Sequence, residues 1–155
     1  MRLRDLREAD LEDMNALYED GGVPDEPPSG DMRGAVLSGR GPARTSVWKT
    51  AARYAPWSGM RLGGDEDGGM NRLGYGPLTF ERYGFEAGVE GGDDGALVLD
   101  YDVPENPYGL RRLEERVRRV DDVYLGRAYL RVGGRDVFVH YYAMEPVERE
   151  IPVRG

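Results

Sequence analysis

The residues of this chain best suited to chemistry converge on one predicted hairpin near its C-terminus. His140 is the only histidine, so proton transfer near neutral pH has one obvious carrier. Gly133-Gly134 can supply the positive φ angles of a two-residue turn, and setting Val132 opposite Arg135 gives a register for residues 123–145. In that register Arg127 lies directly across from His140, on a face shared with Leu125, Tyr129, Phe138, Tyr142 and Met144. A cation, an imidazole and phenols set among hydrocarbon have the composition of a small-molecule pocket, in which burial supplies affinity and a few polar groups fix orientation. The expectation is that this face points inward, with Arg127 and His140 orienting the polar end of a ligand. The alternative is structural: His140 is a satisfied half-buried residue and Arg127 pairs with a nearby carboxylate.

Other constellations are weaker. Asp100 and Asp102 share a face of one predicted strand, with Glu81 and Glu86 nearby, and could share a proton or bind a cation, but a solvated strand face explains them better. The loop Asp65-Glu66-Asp67-Gly68-Gly69 lacks the alternating oxygen ligands and terminal glutamate of a calcium loop. Absence of cysteine excludes disulfides, thiolate nucleophiles and Cys-ligated metals, and with one histidine a protein-built zinc site would need mostly carboxylates. No GxSxG, Ser-His-Asp spacing, P-loop or dinucleotide fingerprint is present. No cofactor is therefore expected. The hypotheses are a binder of a small apolar or amphipathic molecule, a cofactor-independent isomerase, cyclase or dehydratase with His140 as general acid or base, and, ranked lower, haem binding through His140.

The elements that must position these residues read as mainly β, a curved antiparallel sheet or small barrel with an N-terminal helix. Leu3, Leu6, Leu11, Met14, Leu17 and Tyr18 recur at helical spacing over residues 1–20. The Pro- and Gly-rich stretch 23–44 predicts a long loop, and a short helix is expected over Thr45–Tyr54. Period-two patterns mark strands at 57–62, 78–89 and 96–103, the last two forming a hairpin. Leu110, Leu113, Val117 and Val120, with Glu and Arg four apart, predict a helix from 107 to 122 that covers the face bearing Gly126, Ala128 and Leu130. An alternating strand remains open there. The β-rich core spans 57–145 of one domain, 1–155.

Composition bounds the partners. With 29 acidic against 21 basic residues and a net charge of −8, the chain would be repelled by nucleic acid. One lysine, Lys49, among those cations, together with the acidity, also suits a protein working at high salt. No apolar run approaches a membrane span, and the first residues carry no signal-peptide centre, so a cytoplasmic protein without membrane partners is expected. A homodimer is left open.

Met14-Asn15-Ala16-Leu17-Tyr18, the Pro-rich 23–28 and Gly30-Asp31-Met32-Arg33-Gly34 together resemble the start of the small proteins named for a GXWXG motif, with Met32 in the place of the tryptophan. Trp57-Ser58-Gly59 is similar to that family's second W-x-G segment, and 117–125 and 137–142 to the domain that follows. The resemblance implies a β-rich, barrel-like domain without a settled activity. A tryptophan beside a glycine at the start of a sheet is also similar to lipocalin-like barrels, which implies Trp57 lining the barrel floor with Arg127 or Arg131 stacked over it.

Overall fold

Alternation rather than helical spacing governs most of the chain, and the product is a closed barrel of eight antiparallel strands in sequence order. The computed structural model describes residues 2–7, 9–39, 57–63, 68–74 and 76–147. The strands are β1 (Ser29–Gly39), β2 (Trp57–Gly63), β3 (Gly68–Leu73), β4 (Phe80–Glu90), β5 (Ala96–Asp100), β6 (Leu113–Val120), β7 (Val123–Val132) and β8 (Arg135–Pro146). Pairing of β1 with β8 closes the sheet, so no strand edge is left to template aggregation.

Alternate side chains of each strand fill the interior. Met32, Met60, Leu62, Phe85, Leu97, Leu99, Tyr101, Val117, Tyr142 and Met144 form its core. Outside, Asp10 caps the helix α1 (Leu11–Asp20) by accepting from the Asp13 amide at 2.8 Å, and Met14 and Tyr18 bury α1 against Leu125, Tyr141 and Ala143 of β7 and β8. The predicted helix over 1–20 is thus divided, a 3₁₀ turn at Leu3–Leu6 preceding α1.

Two predicted segments change type. Within 23–44, β1 replaces a loop. Pro24, Pro27 and Pro28 all precede the strand, and Gly30 and Gly34 hide the alternation in which Met32 points in and Ala35 and Leu37 point out. Gly34 is required there, since a Cβ would sit 2.4 Å from the Trp57 ring. The 107–122 helix is instead a short 3₁₀ turn (Leu110–Arg112) followed by β6. Leu113 and Val117 satisfy both periods, and the deciding feature is Asp121-Asp122, a two-residue turn with Asp121 at φ 52° that folds β6 onto β7. The element covering β7 and β8 is therefore α1, which on β7 packs against Leu125, on the face opposite to the expected one, and on β8 against Tyr141 and Ala143. β3 also lies where no strand was expected, and the predicted Thr45–Tyr54 helix lies outside the described residues.

Candidate functional site

The Gly133-Gly134 turn forms as expected, at φ 58° and 79°, with Val132 opposite Arg135. A bulge then shifts the hairpin by one residue. Tyr129 pairs with Phe138 but Ala128 pairs with His140, leaving Val139 as the extra residue. Arg127 consequently lies opposite Tyr141, not His140. The bulge also separates the expected site face. His140, Tyr142 and Met144 turn into the barrel with Tyr124 and Gly126, whereas Leu125 and Phe138 pack outside beneath α1.

The outer group is held by direct contacts. Arg127 stacks 3.9 Å from the Tyr18 ring centroid, and its Nε donates to Tyr141 Oη at 2.6 Å. Tyr141 in turn donates to Asn15 of α1. Tyr129 lies against Phe138, ring centroids 6.0 Å apart. Arg127 thus stacks on tyrosines rather than on Trp57, and Arg131 pairs with Asp136 at the surface. β5 ends at Asp100, short of the expected 103, so Asp102 lies past the strand, where it forms an exposed ion pair with Arg111.

The interior is asymmetric along the barrel axis. One end is filled by the core, and toward the other lies a cavity of about 190 Å³. It is lined by Val36, Trp57, Leu73, Leu110 and Leu113, with Asn71, Tyr83, Tyr101, Glu115, His140 and Tyr142 supplying polar atoms. An eight-stranded barrel is just wide enough for side chains or one small ligand, so the space depends on which residues point in. Gly34 and Gly126 give it shape: Tyr142 lies over Gly126, where a Cβ would meet the ring at 2.2 Å, and Trp57 lies over Gly34. The two rings meet edge to face at 5.2 Å.

A chain of hydrogen bonds crosses the cavity wall. Trp57 Nε1 donates to Asn71 Oδ1 at 2.8 Å, Asn71 Nδ2 donates to Tyr101 Oη at 2.8 Å, and Tyr101 donates to Glu115 Oε1 at 2.6 Å. Asn71 also donates to the Tyr83 carbonyl, at a second bulge, where Tyr83 adopts φ 65°. An aromatic residue in the left-handed region is strained, and here the distortion brings a ring to the cavity wall.

Burial shifts Glu115, His140, Tyr101 and Tyr142. Desolvation pushes the Glu115 carboxyl up to about 7, partly opposed by the Tyr101 hydroxyl that stabilises its charge. Desolvation pushes the half-buried His140 down to about 4 and holds it neutral. Tyr101 and Tyr142 are both raised by burial and by the Glu115 charge. The Tyr142 hydroxyl is buried with no hydrogen-bond partner among the described residues.

Of the predicted site residues, the barrel brings together Trp57, His140 and Tyr142, with Met144 deeper in the core, and sets Arg127, Leu125, Tyr129 and Phe138 elsewhere. Sequence reading missed Glu115, Tyr101 and Asn71. For Glu115 a signal existed in the alternation Leu113-x-Glu115-x-Val117, which puts a carboxyl on an apolar strand face, but it competed with the helical charge pairs of the same segment. Among the described residues no three His, Asp or Glu side chains gather as a metal site, and no helix is long and apolar enough to cross a membrane. Comparison of the chain with protein-family models, curated proteins and solved structures finds no match in any of the three.

Proposed function

We propose that the barrel binds a small, largely apolar molecule in its interior, with the molecule's polar end turned toward Tyr142, Tyr101 and Glu115. The observation that carries this reading is the Tyr142 hydroxyl, buried without a partner among the described residues on the wall of a largely apolar cavity. An unsatisfied buried hydroxyl costs ~1–3 kcal/mol, which a hydrogen-bonding group of the ligand, donor or acceptor, would offset. Exposed Leu78 and Tyr108, in the connections at the cavity end, supply an apolar approach.

A second reading, cofactor-independent isomerisation, cyclisation or dehydration, is favoured by the Glu115 carboxyl. With its pKa near 7 both protonation states coexist at neutral pH, as general acid–base work requires. His140, pushed down to about 4, would serve there only as a neutral base.

Thermal-shift screening of small aromatic and aliphatic compounds on wild type and on Tyr142→Phe tests the binding reading. Tyr142→Phe should leave the free protein as stable or up to ~1 kcal/mol more stable, while reducing the ligand-induced rise in Tm. Ligand shifts indifferent to Tyr142→Phe and to Trp57→Leu would remove the interior site. Turnover of a bound compound, followed by NMR and lost in Glu115→Gln, would favour catalysis.

A further inference from the structure

Glu115 is buried, yet no arginine lies within ion-pair distance of it among the described residues. Other shielded carboxylates are treated differently. Asp31 is paired with Arg61 and Arg72, and Glu81 with Arg61. The arginines flanking Glu115 on β6 turn to the outer face, Arg116 to Glu90 at 3.0 Å and Arg118 to backbone carbonyls. Facing Glu115 inside are Tyr101 after β5, Asn71 of β3, and Tyr142 and neutral His140 of β8. None is cationic. Four aromatic rings, Trp57, Tyr83, Tyr101 and Tyr142, share the cavity, and aromatic faces attract cations.

Resting on the reading of this cavity as a binding site, we propose that its ligand is a small lipophilic amine, whose ammonium pairs with the Glu115 carboxylate while the aromatic rings surround its charge and hydrocarbon. The ligand supplies the counter-ion that the described residues do not. A charge buried without a partner is costly, whereas a buried pair with additional hydrogen bonds can be favourable, and Tyr101 already provides one such bond to Glu115. Size narrows the class: cavities of about 150 Å³ take up benzene, so about 190 Å³ fits one ring with a short arm. The net charge of −8 favours approach of a cation over an anion.

Proton linkage follows. Because the Glu115 carboxyl titrates near 7 in the empty cavity, an ammonium must displace its proton to bind at lower pH. Amine affinity should therefore rise from pH 5.5 to pH 8, each unit below the carboxyl pKa costing up to ~10-fold. A neutral ligand of the same shape should show no such rise.

The test is calorimetric titration of the full chain with 2-phenylethylamine, against 2-phenylethanol as its neutral counterpart, at both pH values. At pH 8 the amine should bind wild type at least ~10-fold more tightly than the alcohol. Binding at pH 7 should release protons, read as a dependence of the measured heat on buffer ionisation enthalpy. Glu115→Gln should abolish the preference for the amine and keep alcohol binding, with its fold checked by circular dichroism. If the alcohol binds as tightly as the amine, or amine affinity does not change with pH, the amine proposal fails and the cavity reading stands. If neither compound binds wild type, both fail.

Discussion

The outer and inner faces of the β6–β7–β8 sheet bury polar groups in opposite ways. Beneath α1, guanidinium groups meet partners on several sides: Arg127 has Tyr141, Glu19 and the Tyr18 ring, and Arg118 donates to the carbonyls of Gly95, Tyr18 and Asp93 at 2.9, 3.1 and 3.0 Å. Inside the barrel, the Tyr142 hydroxyl has no partner among the described residues and the Glu115 carboxyl has a hydrogen bond but no cation. The first arrangement suits a joint, in which polar satisfaction ties α1 to the barrel. The second leaves local stability unclaimed, as binding and catalytic sites do.

The largest expected effect lies on the satisfied face. Arg118→Ala removes the donor shared by the end of α1 and the β4–β5 turn, and should cost roughly 2–4 kcal/mol in urea unfolding. Ligand binding in the cavity should be unchanged in the protein that remains folded. A loss below ~1 kcal/mol would erase the contrast between the faces.

Inside, the contrast sharpens with pH. The folded Glu115 carboxyl, at about 7 against an ordinary 4.5, makes the native state bind more protons than the unfolded one, so stability falls as pH rises through that window. His140, at about 4 against 6.5, does the reverse, and stability falls as pH drops from 6.5 toward 4. Between 4.5 and 6.5 the two slopes oppose each other. Relative to wild type, Glu115→Gln should therefore make stability rise with pH in this window by up to ~1.4 kcal/mol per unit, and His140→Gln should make it fall by a similar amount. At pH 8, Glu115→Gln should be more stable than wild type by on the order of 3 kcal/mol. Parallel stability profiles for the three proteins would contradict the assigned burial.

The smallest of the three effects concerns shape. Gly126→Ala places a methyl where the Tyr142 ring lies, and repacking should cost ~1–3 kcal/mol. It should also weaken cavity ligands, because Tyr142 must move. Gly133→Ala, at a position with open space around it, costs only backbone strain and should leave ligand affinity intact. Equal effects of the two variants on affinity would show that Tyr142 does not shape the cavity.

Much of the β architecture was legible because its signals are local. The Gly133-Gly134 turn, the β4–β5 hairpin and the amphipathic Met14 and Tyr18 of α1 each depend on residues a few positions apart, where turn chemistry and side-chain periodicity act directly. β1 was not legible, since Gly34, which makes room for Trp57, and Gly30 break the apolar alternation. β6 was ambiguous, since Leu113 and Val117 fit a helical stripe and a strand face alike.

By itself the sequence determined a mainly β chain with an antiparallel closing hairpin, an acidic surface and a single histidine on that hairpin. Only the tertiary structure decided which residues of the hairpin face one another inside. The Val139 bulge moves His140 and Tyr142 into the barrel and leaves Arg127 outside, and closure of β1 onto β8 turns Glu115 from a surface charge into a buried one. A bulge is set by how a strand must bend to close the barrel, and burial by strands that meet from distant parts of the chain. Neither is encoded in the spacing of neighbouring residues.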